Sequence, residues 1–300
     1  MPATGEAAEI GFITRAGVAA AVALARRLGL PSAGPDVLSS RGNLLVHLAP
    51  APIVARVATL TALTRRDPSA WLAREVAVAG YVAGRGGPAV SPVTMVPPGP
   101  YRQDGLAITL WDLLPPSSLR PDPAAAGAAL AEFHLAAAGC PAELGYLTPA
   151  RDLVSEGLEI LEREAGLDRA TIDALRQGHA RVLAAIPAPG EQIVLHGDAH
   201  PGNLLAAGDG WRWADLEETC RGPVEWDLAV LAGQSGAGAR AALRGYAGVA
   251  GSAVPEPDAL EPFRRARLLE AAVWTAGMAC RYPSRYRESA RHLIAAVLDG

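Results

Sequence analysis

Residues 194–205 read VLHGDAHPGNLL, and this stretch is the most informative part of the chain. An apolar run leads into a polar loop that contains glycine and proline, and a second apolar run follows it. A loop held between two strands can present Asp198 and Asn203 to one point in space. After a Gly-Asp-Gly turn, a further short strand ends at Asp215. Two carboxylates and an amide oxygen are hard ligands, so the stretch predicts a site for Mg²⁺ bound to a nucleotide.

The composition of the chain predicts a soluble globular protein. Half of the 300 residues are hydrophobic, 19% are charged, and the net charge is −4. This balance suggests no general affinity for nucleic acid or for an anionic membrane. The chain contains no lysine, so arginine must fill every role that needs a basic side chain other than histidine.

The predicted location is the cytoplasm. The three cysteines are widely spaced and form no C-x-x-C pair, which argues against a disulfide framework or a zinc site and favours a reducing compartment. Residues 1–9 lack the basic-then-apolar pattern of a signal peptide. The apolar run at 16–25 ends at Arg26 and Arg27, which makes it too short to span a membrane.

The character of the predicted elements changes near residue 112. Strands dominate before it and helices after it, which predicts an α+β chain of two lobes. The first part has a predicted helix at about 14–28, with Thr14 as its candidate cap, and another at about 67–82 that starts at Asp67 and Pro68. Its predicted strands are 37–38, 44–46, 53–57, 93–96 and 106–111. The second part has predicted helices at about 123–138, 150–164, 168–185 and from 224 onward, interrupted by short strands at 192–195, 204–205 and 211–215.

The residues His196, Gly197, Asp198, Asn203 and Asp215 match the pattern H-G-D-x-x-x-x-N…D. This pattern resembles the signature of aminoglycoside phosphotransferases and their choline-kinase and sugar-kinase relatives. It is the counterpart of the catalytic loop and the metal-binding Asp of protein kinases. The segments DLE (215–217), EWDLA (225–229), IVARV (53–57) and TLWDL (109–113) also look like elements of that family, in the same order. The resemblance implies a two-lobed protein-kinase-like fold, with a nucleotide-binding lobe at 1–111 and a helical catalytic lobe at 112–300.

The resemblance also implies roles for the matched residues. Asp198 would orient the hydroxyl of the acceptor and take its proton. Asn203 and Asp215 would hold Mg²⁺ against the phosphates of ATP, and Glu217 is a further candidate ligand that could instead bond nearby backbone. Arg56, standing where the family has a lysine, would reach the α- and β-phosphates and be held by Glu75. The loop over the phosphates would consist of Ser40, Arg41, Gly42 and Asn43. The hinge that contacts adenine would consist of Leu110, Trp111 and Asp112.

Other residues have both a structural and a functional interpretation. His196 is expected to be structural, because Gly197 and Pro201 prevent the helix that would place it in a zinc pair with His200. His200 lies beside the phosphate site and is a candidate contact to the acceptor. Three acidic residues share a helical face and form either a wall for a cationic acceptor or a solvated surface. These residues are Asp152, Glu156 and Glu159.

The sequence therefore predicts an ATP- and Mg²⁺-dependent kinase that acts on a hydroxyl of a small molecule. The acceptor stays open among aminoglycosides, other antibiotics, amino alcohols and sugars, as does the choice between a resistance and a metabolic role. GTP in place of ATP, and a monomer or a homodimer, also stay open. Two alternatives are a nucleotide-binding regulator that no longer transfers phosphate and a metal-dependent hydrolase that uses His196, Asp198 and His200.

Overall fold

The computed structural model describes residues 3–40, 42–59, 62, 65–164, 166–187, 190–233 and 236–299. An antiparallel five-stranded sheet forms from the first part of the chain, with the strand order β1-β2-β3-β5-β4. Because β3 is central, its side chains are buried from Ile53 to Val57, including the charged Arg56. The strands are β1 (Asp36–Ser39), β2 (Leu44–His47), β3 (Ile53–Val57), β4 (Tyr101–Gln103) and β5 (Leu106–Asp112).

The first helix, α1 (Ala3–Arg27), begins earlier than predicted. Thr14 does not cap it, because its hydroxyl donates to the carbonyl of Ile10 at 2.9 Å within the helix. The helix extends the apolar run at 16–25 toward the N-terminus, so the expectation that this run is too short to span a membrane is wrong by length and composition: Gly5–Arg27 is the one stretch of the described chain that passes this test. Ala20 and Leu24, in its C-terminal half, are fully buried in a core shared with the sheet.

The second helix, α2 (Pro68–Gly84), starts as predicted. The side chain of Asp67 accepts the N–H groups of Ser69 and Ala70 at 3.1 and 3.2 Å, which satisfies two of the unpaired donors of the first turn. Helix α2 buries Glu75 among apolar neighbours. This burial places a carboxylate behind the sheet, next to Arg56.

The segment before β5 differs from the prediction. The predicted strand at 93–96 is not formed in this described segment, which contains Pro97, Pro98 and Pro100 and therefore lacks several backbone donors. Instead, β4 pairs with β5 through a turn at Asp104 and Gly105, both with positive φ (50° and 81°). The Asp-Gly pair between two short runs is the signal that could have predicted this hairpin.

The second part of the chain is mainly helical, as predicted. The expected helix at 150–164 begins with a π-helical turn at Pro149–Leu153, and the α-helix follows it. The helices are α3 (Pro123–Ala137), α4 (Val154–Arg163), α5 (Arg169–Ala185), α6 (Glu225–Ala232), α7 (Ala237–Ala250), α8 (Pro257–Arg281) and α9 (Pro283–Asp299).

Two small ladders interrupt the helices. β6 (Ile193–Leu195) pairs with β9 (Cys220–Gly222), and β7 (Leu204–Ala207) pairs with β8 (Gly210–Trp213), all antiparallel. β9 was not predicted, because its sequence Cys-Arg-Gly contains no β-branched or aromatic residue. A continuous core runs from Val54 and Trp111 of the sheet to the buried side chains of α3, α6 and these ladders. This core fixes the loops between the ladders against the sheet.

Candidate active site

The loop that follows β6 is held by the start of α6. Gly197 has φ 91°, and a Cβ at this position would lie 2.0 Å from the carbonyl oxygen of Glu218. The carboxylate of Asp227 accepts the N–H groups of His196 and Gly197 at 2.7 and 2.9 Å. Trp226 Nε1 donates to the carbonyl of Gly197 at 2.8 Å. The backbone of the loop is therefore fixed before Asp198.

Asp227 is itself fully buried and braced. Its Oδ2 lies 2.9 Å from Nε2 of His134, and Nδ1 of His134 lies 3.0 Å from the hydroxyl of Tyr246. Burial acts to raise the pKa of Asp227, but the hydrogen bond and charge of His134 and the N–H of His196 outweigh it, so the pKa is lowered. The carboxylate stays ionised and can hold the loop. The sequence did not single out the part played by Tyr246, which lies on α7.

His196 fills a structural position. It is fully buried, its Nδ1 accepts the N–H of Asp198 at 3.3 Å, and its Nε2 donates to the carbonyl of Ala214 at 3.1 Å. Burial lowers its pKa against the opposing charge of Asp227, so the ring is neutral. Both ring nitrogens are used within the protein, which leaves His196 unsuited to the zinc site of the hydrolase alternative.

Asp198 and Asn203 are brought together. Asn203 Nδ2 donates to the backbone oxygen of Asp198 at 3.0 Å and to its carboxylate Oδ2 at 3.2 Å. His200 Nδ1 accepts the N–H of Gly202 at 2.9 Å and so caps the short 3₁₀ turn at Pro201–Asn203, while its Nε2 is 3.8 Å from Asp198. The sequence missed Arg267 of α8, whose Nη2 lies 2.6 Å from Asp198 Oδ1.

Asp215 follows β8 in a left-handed conformation, with φ 61° and ψ 52°. The N–H of the preceding Ala214 donates to the backbone oxygen of Asn203 at 2.9 Å, which joins the two predicted metal-binding segments. Asp215 Oδ1 accepts from Arg56 at 2.5 Å, and its side chain is 48% exposed. Burial acts to raise the pKa of Asp215, but the charge and hydrogen bond of Arg56 lower it.

Arg56 Nη1 lies 2.7 Å from Glu75 Oε1. Arg56 also contacts Glu217 Oε2 at 2.6 Å, in addition to Asp215. Burial acts to lower the pKa of Arg56, yet the three carboxylates together raise it. Burial raises the pKa of Glu75 to about 8 despite the opposing charge of Arg56. Because several carboxylates share this guanidinium in a buried space, Glu75 is the one that retains a proton at neutral pH.

Glu217 is enclosed by donors. It is 4% exposed, its Oε1 lies 2.5 Å from Arg65 Nη1, and its Oε2 accepts from Asn43 Nδ2 at 2.6 Å. Arg65 Nη2 also lies 3.2 Å from Glu218 Oε1. Here Glu217 acts as a counter-ion, and its predicted role as a metal ligand stays a prediction. Arg65 was missed because no local pattern marks it.

The loop between β1 and β2 lies at the same end of the sheet. Within it, Ser40 is half-buried, Gly42 accepts the hydroxyl of Thr59 at 3.1 Å through its carbonyl, and Asn43 reaches Glu217. Arg41 lies outside the described residues. The described part of this loop therefore lies near Arg56, and its role as a loop over the phosphates stays a prediction.

The predicted hinge is the end of β5. The N–H of Leu110 donates to Pro98 at 2.8 Å, and the N–H of Asp112 donates to Ser91 at 2.9 Å. Trp111 is buried, and its Nε1 donates to Thr109 at 2.9 Å. Two backbone donors of the predicted adenine site are thus already paired within the chain.

One residue of the predicted acidic wall, Glu159, already has a basic partner. Asp152 is exposed in the π-helical turn, and Glu159 on α4 forms an ion pair with Arg66. Glu156 is half-buried, and its Oε2 is buried without a hydrogen bond. Whether this face contacts an acceptor stays a prediction.

The donors at the site fit Mg²⁺ better than a soft metal. Asn203 uses its amide nitrogen on Asp198, which leaves its oxygen as a ligand, and Asp215 is half-exposed beside it. In the described part of the chain, no group of three His, Cys, Asp or Glu side chains has the arrangement of a metal site. A magnesium ion that keeps its waters and binds phosphates needs few protein ligands.

One surface groove of the described chain lies away from this site. It has a volume of about 980 Å³ and is lined by residues of α3 and of the β7–β8 turn, including Glu132 and Trp211. It contains none of the predicted site residues. We therefore assign the site from side-chain chemistry and not from cavity size.

Comparisons with known proteins find similarity in sequence and in fold. A family model described as "Phosphotransferase enzyme family" matches residues 42–263. This span holds every predicted site residue from Gly42 onward, including the loop around Asp198 and Asp215. No curated protein matches the chain in sequence.

Solved structures of small-molecule kinases are similar in fold. Amicoumacin kinase hAmiN, in complex with AMP-PNP, Ca²⁺ and Ami, has a TM-score of 0.65 at 12% identity and covers 88% of both chains. Choline kinase LicA from Streptococcus pneumoniae has a TM-score of 0.62 at 13% identity, covering 91% of this chain and 98% of its own. Aminoglycoside phosphotransferase APH(3'')-Id from Streptomyces rimosus, with ADP and streptomycin, has a TM-score of 0.53 at 17% identity, covering 87% and 97%. The predicted α+β, two-lobed, kinase-like fold is confirmed.

Proposed function

We propose that this chain, which belongs to the phosphotransferase enzyme family, moves the γ-phosphate of ATP to a hydroxyl of its acceptor. By class it is a small-molecule kinase. The observation that carries the proposal is the joined arrangement of three oxygen-bearing side chains beside one buried guanidinium. Asp198 and Asn203 are in contact, Asp215 is tied to Asn203 through the backbone, and Arg56 bonds to Asp215. Three parts of the chain thus supply the groups that phosphoryl transfer needs.

In the proposed reaction, Asp198 orients the acceptor hydroxyl and receives its proton. The hydroxyl oxygen forms a bond to the γ-phosphorus while the bond to the β,γ-bridging oxygen breaks, and ADP leaves with that oxygen. The transition state is loose and its charge is spread, so positioning of the reactants matters more than the basicity of the carboxylate. The fixed backbone around Gly197 supports this positioning.

On the nucleotide side, Asn203 and Asp215 are the proposed holders of Mg²⁺. When bound there, the ion would offset the negative charge of the phosphates. Arg56 would exchange its contact with Asp215 for the α- and β-phosphates while Glu75 keeps it in place. A guanidinium suits this exchange because it stays charged and binds phosphate oxygens through two nitrogens.

The adenine and phosphate contacts are also proposals. Backbone N–H groups of Ser40–Asn43 would surround the phosphates. Because the N–H groups of Leu110 and Asp112 are paired within the chain, adenine would bond to hinge groups beyond them, such as the N–H of Leu114. We propose that the boundary between the two lobes lies between residues 111 and 112. We also propose that the protein is located in the cytoplasm.

For the acceptor, we propose an aminoglycoside or another antibiotic, an amino alcohol or a sugar. Streptomycin and choline are the compounds that the names of similar structures associate with those proteins. They are therefore the first compounds to test. The acidic residues Asp152, Glu156 and Glu159 would favour a cationic acceptor, with His200 as a further contact.

The proposed function is tested by transfer of label from [γ-³²P]ATP with Mg²⁺ to a panel containing streptomycin, a macrolide, choline and glucosamine. We expect one class of acceptor to be labelled. Asp198→Asn should lower kcat by about 10²- to 10⁴-fold and leave nucleotide affinity, measured by equilibrium titration, within about threefold because Asp198 faces the acceptor. An Asp198→Asn protein that transfers label as well as the parent would contradict the mechanism. Binding of nucleotide without transfer to any acceptor or to water would favour the regulator.

A further inference from the structure

The side chain of Asp198 has a partner that comes from far along the chain. Arg267 Nη2 lies 2.6 Å from Asp198 Oδ1, and Asn203 Nδ2 lies 3.2 Å from Asp198 Oδ2. Each carboxylate oxygen therefore accepts from a different protein donor. Charge-assisted hydrogen bonds of this kind are strong and directional. Together the two donors fix the plane of the carboxylate.

Arg267 is anchored independently of Asp198. Its Nη1 lies 3.1 Å from Glu218 Oε2 and also contacts Glu270, and its guanidinium carbon lies 5.5 Å from the ring centre of Trp226. Burial acts to lower the pKa of Arg267, but the charges of Glu270, Asp198 and Glu218 raise it. The guanidinium is therefore charged and held in place before any substrate arrives.

The backbone and the side chain at position 198 are held by different helices. Trp226 and Asp227 of α6 bind the backbone at His196 and Gly197. Arg267 of α8 contacts residue 198 only through its carboxylate. Removal of Arg267 should therefore leave the backbone of the loop in place and allow the carboxylate of Asp198 to rotate.

We propose that Arg267 is a positioning residue for the phosphoryl transfer, which directs a free lone pair of Asp198 at the acceptor hydroxyl. The inference rests on the proposed function. The fork of a guanidinium reaches Asp198 with one nitrogen and Glu218 with the other, a geometry that an ammonium cannot reproduce. Arg267 acts through Asp198, so its effect falls on kcat, and a misplacement of about 1 Å costs about 10²-fold in rate.

The test compares Arg267→Met with Arg265→Met, a control on the same helix whose guanidinium is exposed and pairs with Glu261. Phosphate transfer from Mg²⁺·[γ-³²P]ATP is measured to streptomycin, choline and glucosamine, and release of inorganic phosphate reports transfer to water. We expect Arg267→Met to lower kcat by about 10²-fold, with KM for ATP within about threefold. Arg267→Lys should recover only part of the rate, and Arg265→Met should match the parent.

Chemical rescue distinguishes a positioning role of Arg267 from a merely structural one. Methylguanidinium added to Arg267→Ala should raise kcat, because it can occupy the space between Glu218 and Asp198. It should not raise kcat in the double variant with Asp198→Asn, whose oxygen cannot pair with it as a carboxylate does. If Arg267→Met fails to fold, Glu270→Gln removes one anchor of Arg267 with little change of shape, and a smaller loss of kcat is expected.

The two proposals fail in different ways. If Asp198→Asn stops transfer while Arg267→Met keeps kcat within about threefold of the parent, the role of Arg267 is overturned and the kinase mechanism stands. If the parent transfers label and Asp198→Asn does so equally well, the mechanism itself is wrong. Crystal structures give a readout that needs no activity: Asp198 should adopt more than one orientation in Arg267→Met and a single one in Arg265→Met. A single unchanged orientation in Arg267→Met would also overturn the inference.

Discussion

At the scale of the residue, the pair Arg56 and Glu75 shows how burial decides a protonation state. Three carboxylates face one guanidinium, and Glu75 lies deepest, with 1% of its surface exposed. One of its oxygens has no hydrogen-bond partner in the structure. Burial therefore favours the protonated form of Glu75, because its counter-ion Arg56 is shared with Asp215 and Glu217.

The substitution Glu75→Gln should therefore make the stability of the protein less dependent on pH. The pKa of Glu75 is about 8 in the folded protein and 4.5 when unperturbed. Between these values the folded state binds a proton that the unfolded state has lost, so its contribution to stability is complete below pH 4.5 and disappears as the pH rises through 8. Glutamine resembles the protonated form at every pH.

Urea denaturation of both proteins between pH 4.5 and 9 measures this effect. The free energy of unfolding of Glu75→Gln, relative to the parent, should rise between pH 4.5 and about 8 and level off above that. A difference that stays constant, or one that falls with rising pH, would show that Glu75 is ionised in the folded protein.

At the scale of the element, α3 and α7 approach closely because each carries a glycine at the crossing. A Cβ at Gly127 would lie 1.9 Å from the backbone oxygen of Ala242, and one at Gly245 would lie 2.1 Å from that of Ala124. These contacts are to backbone, which cannot move aside as a side chain can. Helix α7 also carries Tyr246, which holds His134, so the crossing sets the position of the group that braces Asp227.

We expect Gly245→Ala to destabilise the protein by about 1–3 kcal/mol, because the added methyl group must push the two helices apart. The matched control is Gly248→Ala on the same helix, where an added Cβ would have no neighbouring atom within 4 Å. There the change should stabilise by about 0.5–1 kcal/mol through helix propensity. Equal free energies of unfolding for the two variants in urea would contradict the close packing.

The elements that could be predicted from the sequence are those with local signals. The loop around Asp198 is marked by glycine, proline and polar residues between apolar runs, and α2 is marked by Asp67 and Pro68. Arg65 and Arg267 carry no such mark, since their partners Glu217 and Asp198 lie far away along the chain and only the tertiary fold brings them together. The prediction for Thr14 was wrong because a hydroxyl can bond within a helix as well as cap one.

At the scale of the whole molecule, the site joins the sheet to the helical part. Arg56 of β3 and Asn43 beside β2 contact Asp215 and Glu217, which follow the β8 strand. Ligands bound here would bridge both parts of the chain. The division at 111/112 stays a prediction, and Trp111 shows why the sequence alone cannot settle it: its side chain belongs to the core that continues into the helices.

Magnesium and AMP-PNP together should therefore stabilise the whole protein against heat. A ligand at about one hundred times its Kd adds about 2.7 kcal/mol to the free energy of unfolding by mass action. In Asp215→Ala, which lacks the proposed metal-binding carboxylate, the added stability should no longer depend on Mg²⁺. Thermal unfolding with nucleotide alone, Mg²⁺ alone and both gives the comparison. An equal Mg²⁺-dependent shift in the variant would remove Asp215 from the metal site.

The arginine at position 56 also determines which reagents can mark the site. The chain contains no lysine, so no ε-amino group is present to attack an acyl phosphate, an activated ester or an aldehyde attached to a nucleotide. Affinity probes that label kinases by acylating a lysine on the third strand would therefore form no covalent bond with this enzyme, even when they bind to it. Dicarbonyl compounds such as phenylglyoxal condense with guanidinium groups, so they are the reagents expected to modify Arg56.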